Sequence, residues 1–194
     1  MTAPQVRPPR RRVHRVTAAA ALATTSYATT MLGPAAWAAP PDTNGEPAPC
    51  RADRIAVTAS STQATPGHRA LTLRFALAGG AVPCTLTGYP WVDSGAGGPL
   101  IHAEPTLRGH MGGLPAAVDV PPTVTLSLLQ EAQAIVEGMA IDGGGNQCPA
   151  YTELLVSPPD TTEVFTVPAT IDACHLQVHP ITHIAPEPVE YQFS

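Results

Sequence analysis

The chain has 194 residues, of which 44% are hydrophobic and 13% charged, with 23 Pro and 16 Gly. That composition excludes a disordered chain, which combines low hydrophobicity with high net charge, and the length suits one domain with a short surplus. All ten basic residues are Arg, five of them at Arg7, Arg10, Arg11, Arg12 and Arg15; beyond these, five Arg stand against 15 Asp and Glu, a formal net of −10 that offers no electrostatic footing for nucleic acid.

The first fifteen residues are basic and Pro-rich, and Val16 to Leu32 is free of charge and dominated by Ala and Thr. Gly33-Pro34 and then Ala36-Trp37-Ala38 follow. This basic, apolar, small-x-small order predicts a secretory signal peptide over 1–38, cleaved after Ala38. A transmembrane anchor fits less well. The stretch contains six Thr or Ser, and a span needs about 20 mostly apolar residues. Arg10-Arg11-Arg12-Val13 hints at twin-arginine export, but His14 and Arg15 stand where that signal prefers apolar residues, so both export routes stay open. The first Cys, Cys50, follows Pro47-Ala48-Pro49 at a distance from the apolar stretch, which argues against a lipid anchor. The expected location is secreted or cell-envelope, extracytoplasmic, with no transmembrane anchor in the mature chain.

Residues 39–49 are rich in Pro and polar groups and read as a flexible linker. The domain is expected over 50–180, followed by a tail over 181–194. Inside the domain the hydrophobic period is two. Leu71, Leu73, Phe75 and Leu77 alternate with Thr72, Arg74 and Ala76, which places four large apolar groups on one face of a strand. Shorter runs of the same kind are Ile55 and Val57; Val124, Leu126 and Leu128; Val164, Phe165 and Val167; and Leu176 and Val178. Pro66-Gly67, Gly79-Gly80, Gly95 to Gly98, Gly112-Gly113, Gly143 to Gly145 and Pro158-Pro159 punctuate them. Many short strands at this spacing predict an all-β sandwich. Leu126 to Ala140 also fits a helix stripe through Leu128, Ala132, Ile135 and Met139; two strands turning near Gln130-Glu131 agree better with the neighbouring period.

Four Cys, at 50, 84, 148 and 174, all follow the signal. An even count in an exported chain predicts two disulfides, with three pairings possible. Joining sequence neighbours, Cys50–Cys84 and Cys148–Cys174, is the expected one. Residues 84 to 92 read Cys-Thr-Leu-Thr-Gly-Tyr-Pro-Trp-Val, and Leu154-Leu155-Val156-Ser157-Pro158-Pro159 lies between the last two Cys. This order resembles the actinobacterial exported domain of unknown function numbered 4232, over roughly residues 50 to 180. The resemblance implies a secreted or lipid-anchored Ig-like β-sandwich without catalytic residues to carry over. The chain departs from that pattern at Leu77-Ala78-Gly79-Gly80, where an Asn commonly closes the strand. It departs again at Leu128-Leu129-Gln130-Glu131-Ala132, where a Pro-Gly turn is common.

Motifs of chemistry are sparse. Ser94 lies in Val-Asp-Ser-Gly-Ala rather than in a nucleophile elbow, and reads as a turn residue. Asp142-Gly-Gly-Gly-Asn146 lacks the ligand series of a calcium loop and reads as a glycine-rich turn. No Cys-x-x-Cys or His-Glu-x-x-His is present. His175, His179 and His183 are spaced by four; along a strand, neighbours ~13 Å apart could not share an ion, so they read as surface histidines. His68, His102 and His110 are scattered through turn-like segments. No metal site, catalytic residue or cofactor is expected. Tyr89 and Trp91 are the candidate binding residues, able to form an exposed aromatic patch for a glycan or a protein; packing beside the Cys84 strand is the other reading. The expected function is a non-catalytic exported domain binding a protein or envelope component. The alternative is a secreted hydrolase with dispersed catalytic residues.

Overall fold

The computed structural model describes residues 45–184; the signal peptide with its cleavage point, the first residues of the linker and the end of the tail lie outside them. Twelve strands follow in chain order: β1 (Ile55–Ala59), β2 (Gln63–Thr65), β3 (His68–Leu77), β4 (Cys84–Thr87), β5 (Trp91–Ser94), β6 (Ala103–Pro105), β7 (Thr123–Leu126), β8 (Ala132–Met139), β9 (Ala150–Ser157), β10 (Phe165–Asp172), β11 (Leu176–Val178) and β12 (Thr182–His183). No α-helix occurs among the described residues. The fold is all-β, as the period of two predicts.

A seven-stranded sheet runs in the order β1-β3-β8-β11-β6, with β2 added on β3 and β12 on β8. A three-stranded sheet, β10-β9-β5, and a two-stranded sheet, β4-β7, share a hydrophobic core with it. β3 supplies that core as its alternation predicts: Leu71, Leu73 and Phe75 are buried and Leu77 is half-buried. The facing residues on β8 are small where β3 is large. Leu73 stands opposite Ala134 and Phe75 opposite Ala132, which leaves room for inner-face side chains of the smaller sheets to interdigitate. Val124, Leu126, Leu154, Val156, Val167, Leu176 and Val178 complete the apolar layer.

Both expected disulfides form. Cys50–Cys84 (Cα–Cα 4.8 Å) ties the approach to β1 onto the start of β4, so it joins the large sheet to the two-stranded one. Cys148–Cys174 (Cα–Cα 5.0 Å) closes the passage from β10 to β11, where the chain leaves the three-stranded sheet for the large one. Loops of 34 and 26 residues give about 3.5–4 kcal/mol each in the chain-entropy account.

Leu126 to Ala140 holds two strands, the reading that agrees with the neighbouring period, and they do not pair with each other. β7 pairs with β4 and β8 with β3, so the turn between them carries the chain from one sheet to another. Leu128 does not continue the apolar face of β7; it is 81% exposed at the tip of that turn, and Leu129 is 99% exposed. The linker docks before Cys50: the Thr85 amide donates to the Ala48 carbonyl and the Thr85 hydroxyl to the Pro47 carbonyl. Beyond Pro180, β12 still pairs with β8, through Thr182 opposite Gln133.

Candidate functional site

Strand β5 alternates sharply. Val92 and Ser94 are buried, while Trp91 is 62% exposed and Asp93 faces the same outer side. Antiparallel register places Ser157 of β9 beside Trp91 and Leu155 beside Asp93, with Thr166 of β10 next across from Leu155. An indole therefore stands on an open, mostly polar sheet face. His102 meets it edge-on, ring centroids 5.7 Å apart. His102 is in turn oriented by Asp93: its Nδ1 lies 2.6 Å from Asp93 Oδ1. Orienting the ring this way limits the freedom lost when a ligand settles on it. Tyr89 is half-buried, and burial pushes its phenol above the ordinary value. The ring that meets Trp91 is His102 rather than Tyr89.

Ser94 is not a turn residue. It is buried at the end of β5, where its Oγ accepts the Ile101 amide at 2.8 Å and donates to the Pro99 carbonyl at 3.3 Å. Both bonds hold the 94–101 loop. Asp142 turns the chain as expected, accepting the amides of Gly144 and Asn146 at 2.9 and 2.8 Å, and these bonds hold its carboxyl below the ordinary range.

The second polar constellation was not visible along the sequence. His179, expected at the surface, is 1% exposed, whereas His175 and His183 remain partly or fully open. Its Nδ1 donates to the Thr106 carbonyl at 3.1 Å, and its Nε2 lies 3.4 Å from Glu137 Oε2. Both ring nitrogens thus face oxygens, with Nε2 buried and without a hydrogen-bond partner among the described residues. Glu137, on the outer face of β8, is also buried. Its Oε1 accepts the His110 amide at 2.8 Å and its Oε2 the Met111 amide at 2.7 Å. Burial pushes this carboxyl up, but the two backbone amides and His179 outweigh it and hold it below its ordinary value.

The backbone that Glu137 grips is a flap. The Leu114 amide donates to the Leu107 carbonyl and the Gly109 amide to the Gly112 carbonyl, so residues 107–114 fold back on themselves. Gly109 must lack a side chain, since a Cβ there would collide with Glu137 Oε1 and the His179 ring. Arg108 Nη2 pins the following segment through the carbonyls of Pro115, Ala116 and Val118 and through Asp119. The flap brings His110 onto His68, rings stacked 4.0 Å apart, beside an open cavity of ≈ 140 Å³ lined by both with Glu137, Met139, His175 and Gln177. Among the described residues no group of three His, Cys, Asp or Glu side chains is arranged to hold a metal ion. Parallel stacking also keeps the His68 and His110 lone pairs from converging on one point.

These two constellations differ in chemical availability. Glu137 is engaged in holding the flap through two backbone amides, and a carboxyl held below its ordinary range is a poor proton acceptor. Trp91 and its oriented histidine face solvent.

A family model described as "Domain of unknown function (DUF4232)" matches residues 50–182, more than half of the chain. No curated protein and no solved structure matches it.

Proposed function

The chain belongs to the DUF4232 family, and from that premise we propose that it is the non-catalytic binding domain of an exported protein, recognising a protein or envelope component through the Trp91 face. One observation carries the reading: a tryptophan 62% exposed on a rigid sheet, with His102 and Asp93 ordered beside it. Tryptophans so placed supply large contact area at small entropic cost and recur as binding hot spots. Export is supported by the basic-apolar-small order of residues 1–38 and is compatible with two disulfides, which persist in oxidising compartments. No helix among the described residues is long and apolar enough to cross a membrane. The hydrolase alternative would draw on Glu137 and His179; Glu137 is occupied by the His110 and Met111 amides of the flap, and His179 Nδ1 by the Thr106 carbonyl.

The test is retention of purified protein on envelope fractions of the producing cell, with crosslinking from position 91 to identify what is bound. Trp91→Ala should weaken retention about thirtyfold, the effect of a hot spot worth about 2 kcal/mol, without moving the unfolding midpoint. Equal retention of wild type and variant would sink the proposal.

A further inference from the structure

A site unrelated to the Trp91 face lies at the turn between β7 and β8. Turn tips are normally polar or glycine-rich, yet this one presents Leu128 and Leu129 side by side, 81% and 99% exposed. We propose that the Leu128-Leu129 tip inserts into the headgroup layer of a phospholipid bilayer, docking the domain on a membrane surface.

The backbone of the tip is prepared for such a medium. The Ser127 and Gln130 amides donate to each other's carbonyls at 3.0 and 3.2 Å, and the Leu129 amide donates to Ser127 Oγ at 3.3 Å. Three of the four amides of the turn are therefore satisfied internally, which lowers the cost that keeps irregular backbone out of lipid. The base is braced: Gln130 Nε2 lies 2.9 Å from His183 Nδ1, and Glu131 lies 3.9 Å from Arg74. Charges near the tip are matched. Arg74 faces Glu131, and Arg51 pairs with Asp53 beside the start of β1, which register places at the same end of the large sheet. Arg54, exposed at that end, has no ion-pair partner among the described residues and is available to a lipid phosphate.

Area decides between lipid and protein as the occupant. A stable protein interface buries ~1,200–2,000 Å² in total and needs a complementary face. Two leucines on a narrow tip cannot supply that, whether to a second copy or to another protein. A bilayer needs no complementary face, and its affinity grows with each apolar group submerged.

The experiment uses oxidised protein recovered from the culture medium and vesicles of phosphatidylethanolamine with phosphatidylglycerol. A Trp37→Phe/Trp91→Phe/Leu129→Trp variant carries its sole tryptophan at the tip, and its emission should shift to the blue when vesicles are added. Leu128→Ser/Leu129→Ser should lower the vesicle partition coefficient about tenfold or more, while Trp91→Ala leaves it unchanged. That last arm separates this inference from the proposed function. An emission maximum that does not move, equal partitioning of the double variant, or a dimer in solution that the double variant abolishes would each overturn the proposal.

Discussion

Replacing Glu137 by Gln removes one negative charge while keeping nearly the same shape. In the native domain both carboxylate oxygens accept a backbone amide, at 2.8 and 2.7 Å, and His179 stands at 3.4 Å. A Gln side chain offers one carbonyl oxygen, so its NH₂ must confront one of the two amides or the imidazole. The variant loses a charge-assisted hydrogen bond worth about 1.5–3 kcal/mol. Against the ~5–15 kcal/mol of an ordinary domain this is large. Urea unfolding of the oxidised protein should show it as a lowered midpoint at unchanged slope, and exchange of the His110 and Met111 amides should accelerate most. Dependence on pH gives a further check. Since the folded carboxyl titrates below its ordinary 4.5, its stabilisation is complete above that value. It is lost progressively as pH falls below 4.5 and through the folded value. Gln does not titrate, so the gap between wild type and variant should close in acid. A loss under about 1 kcal/mol at pH 7, or a gap that persists in acid, would refute the clamp.

Phe75→Ala should cost about 3–5 kcal/mol in denaturant unfolding, because the ring is 0% exposed between Val57 of β1 and Ala132 of β8; a loss below about 1 kcal/mol would mean the face of β3 is misassigned. Gly109→Ala tests the flap from its other side. The added Cβ collides with Glu137 Oε1 and the His179 ring, so a loss of about 1–3 kcal/mol is expected, and a midpoint within about 0.5 kcal/mol of wild type would show that the flap yields freely.

Where partners are close in sequence or obey a short period, the chain announces its structure. β3 is legible because four alternating apolar residues admit one inward face, and the disulfides are legible because each closes a short excursion between sheets. The turn at Leu128 misleads for a physical reason: a third apolar residue at the right spacing extends the pattern of β7 one step beyond the place where the chain leaves the sheet. The Glu137–His179 clamp belongs to another class. Its parts come from β8, from the flap at 107–114 and from the stretch after β11, and they meet because β11 lies beside both β8 and β6. One signal was present. Leu176 and Val178 point inward, so His179 should have pointed out to solvent with Gln177; it is buried because the flap covers that outer face, held there by a carboxylate whose own burial depends on the flap. No window of sequence contains both, and the glycine at 109, which looks like ordinary turn punctuation, is the residue on which their contact depends.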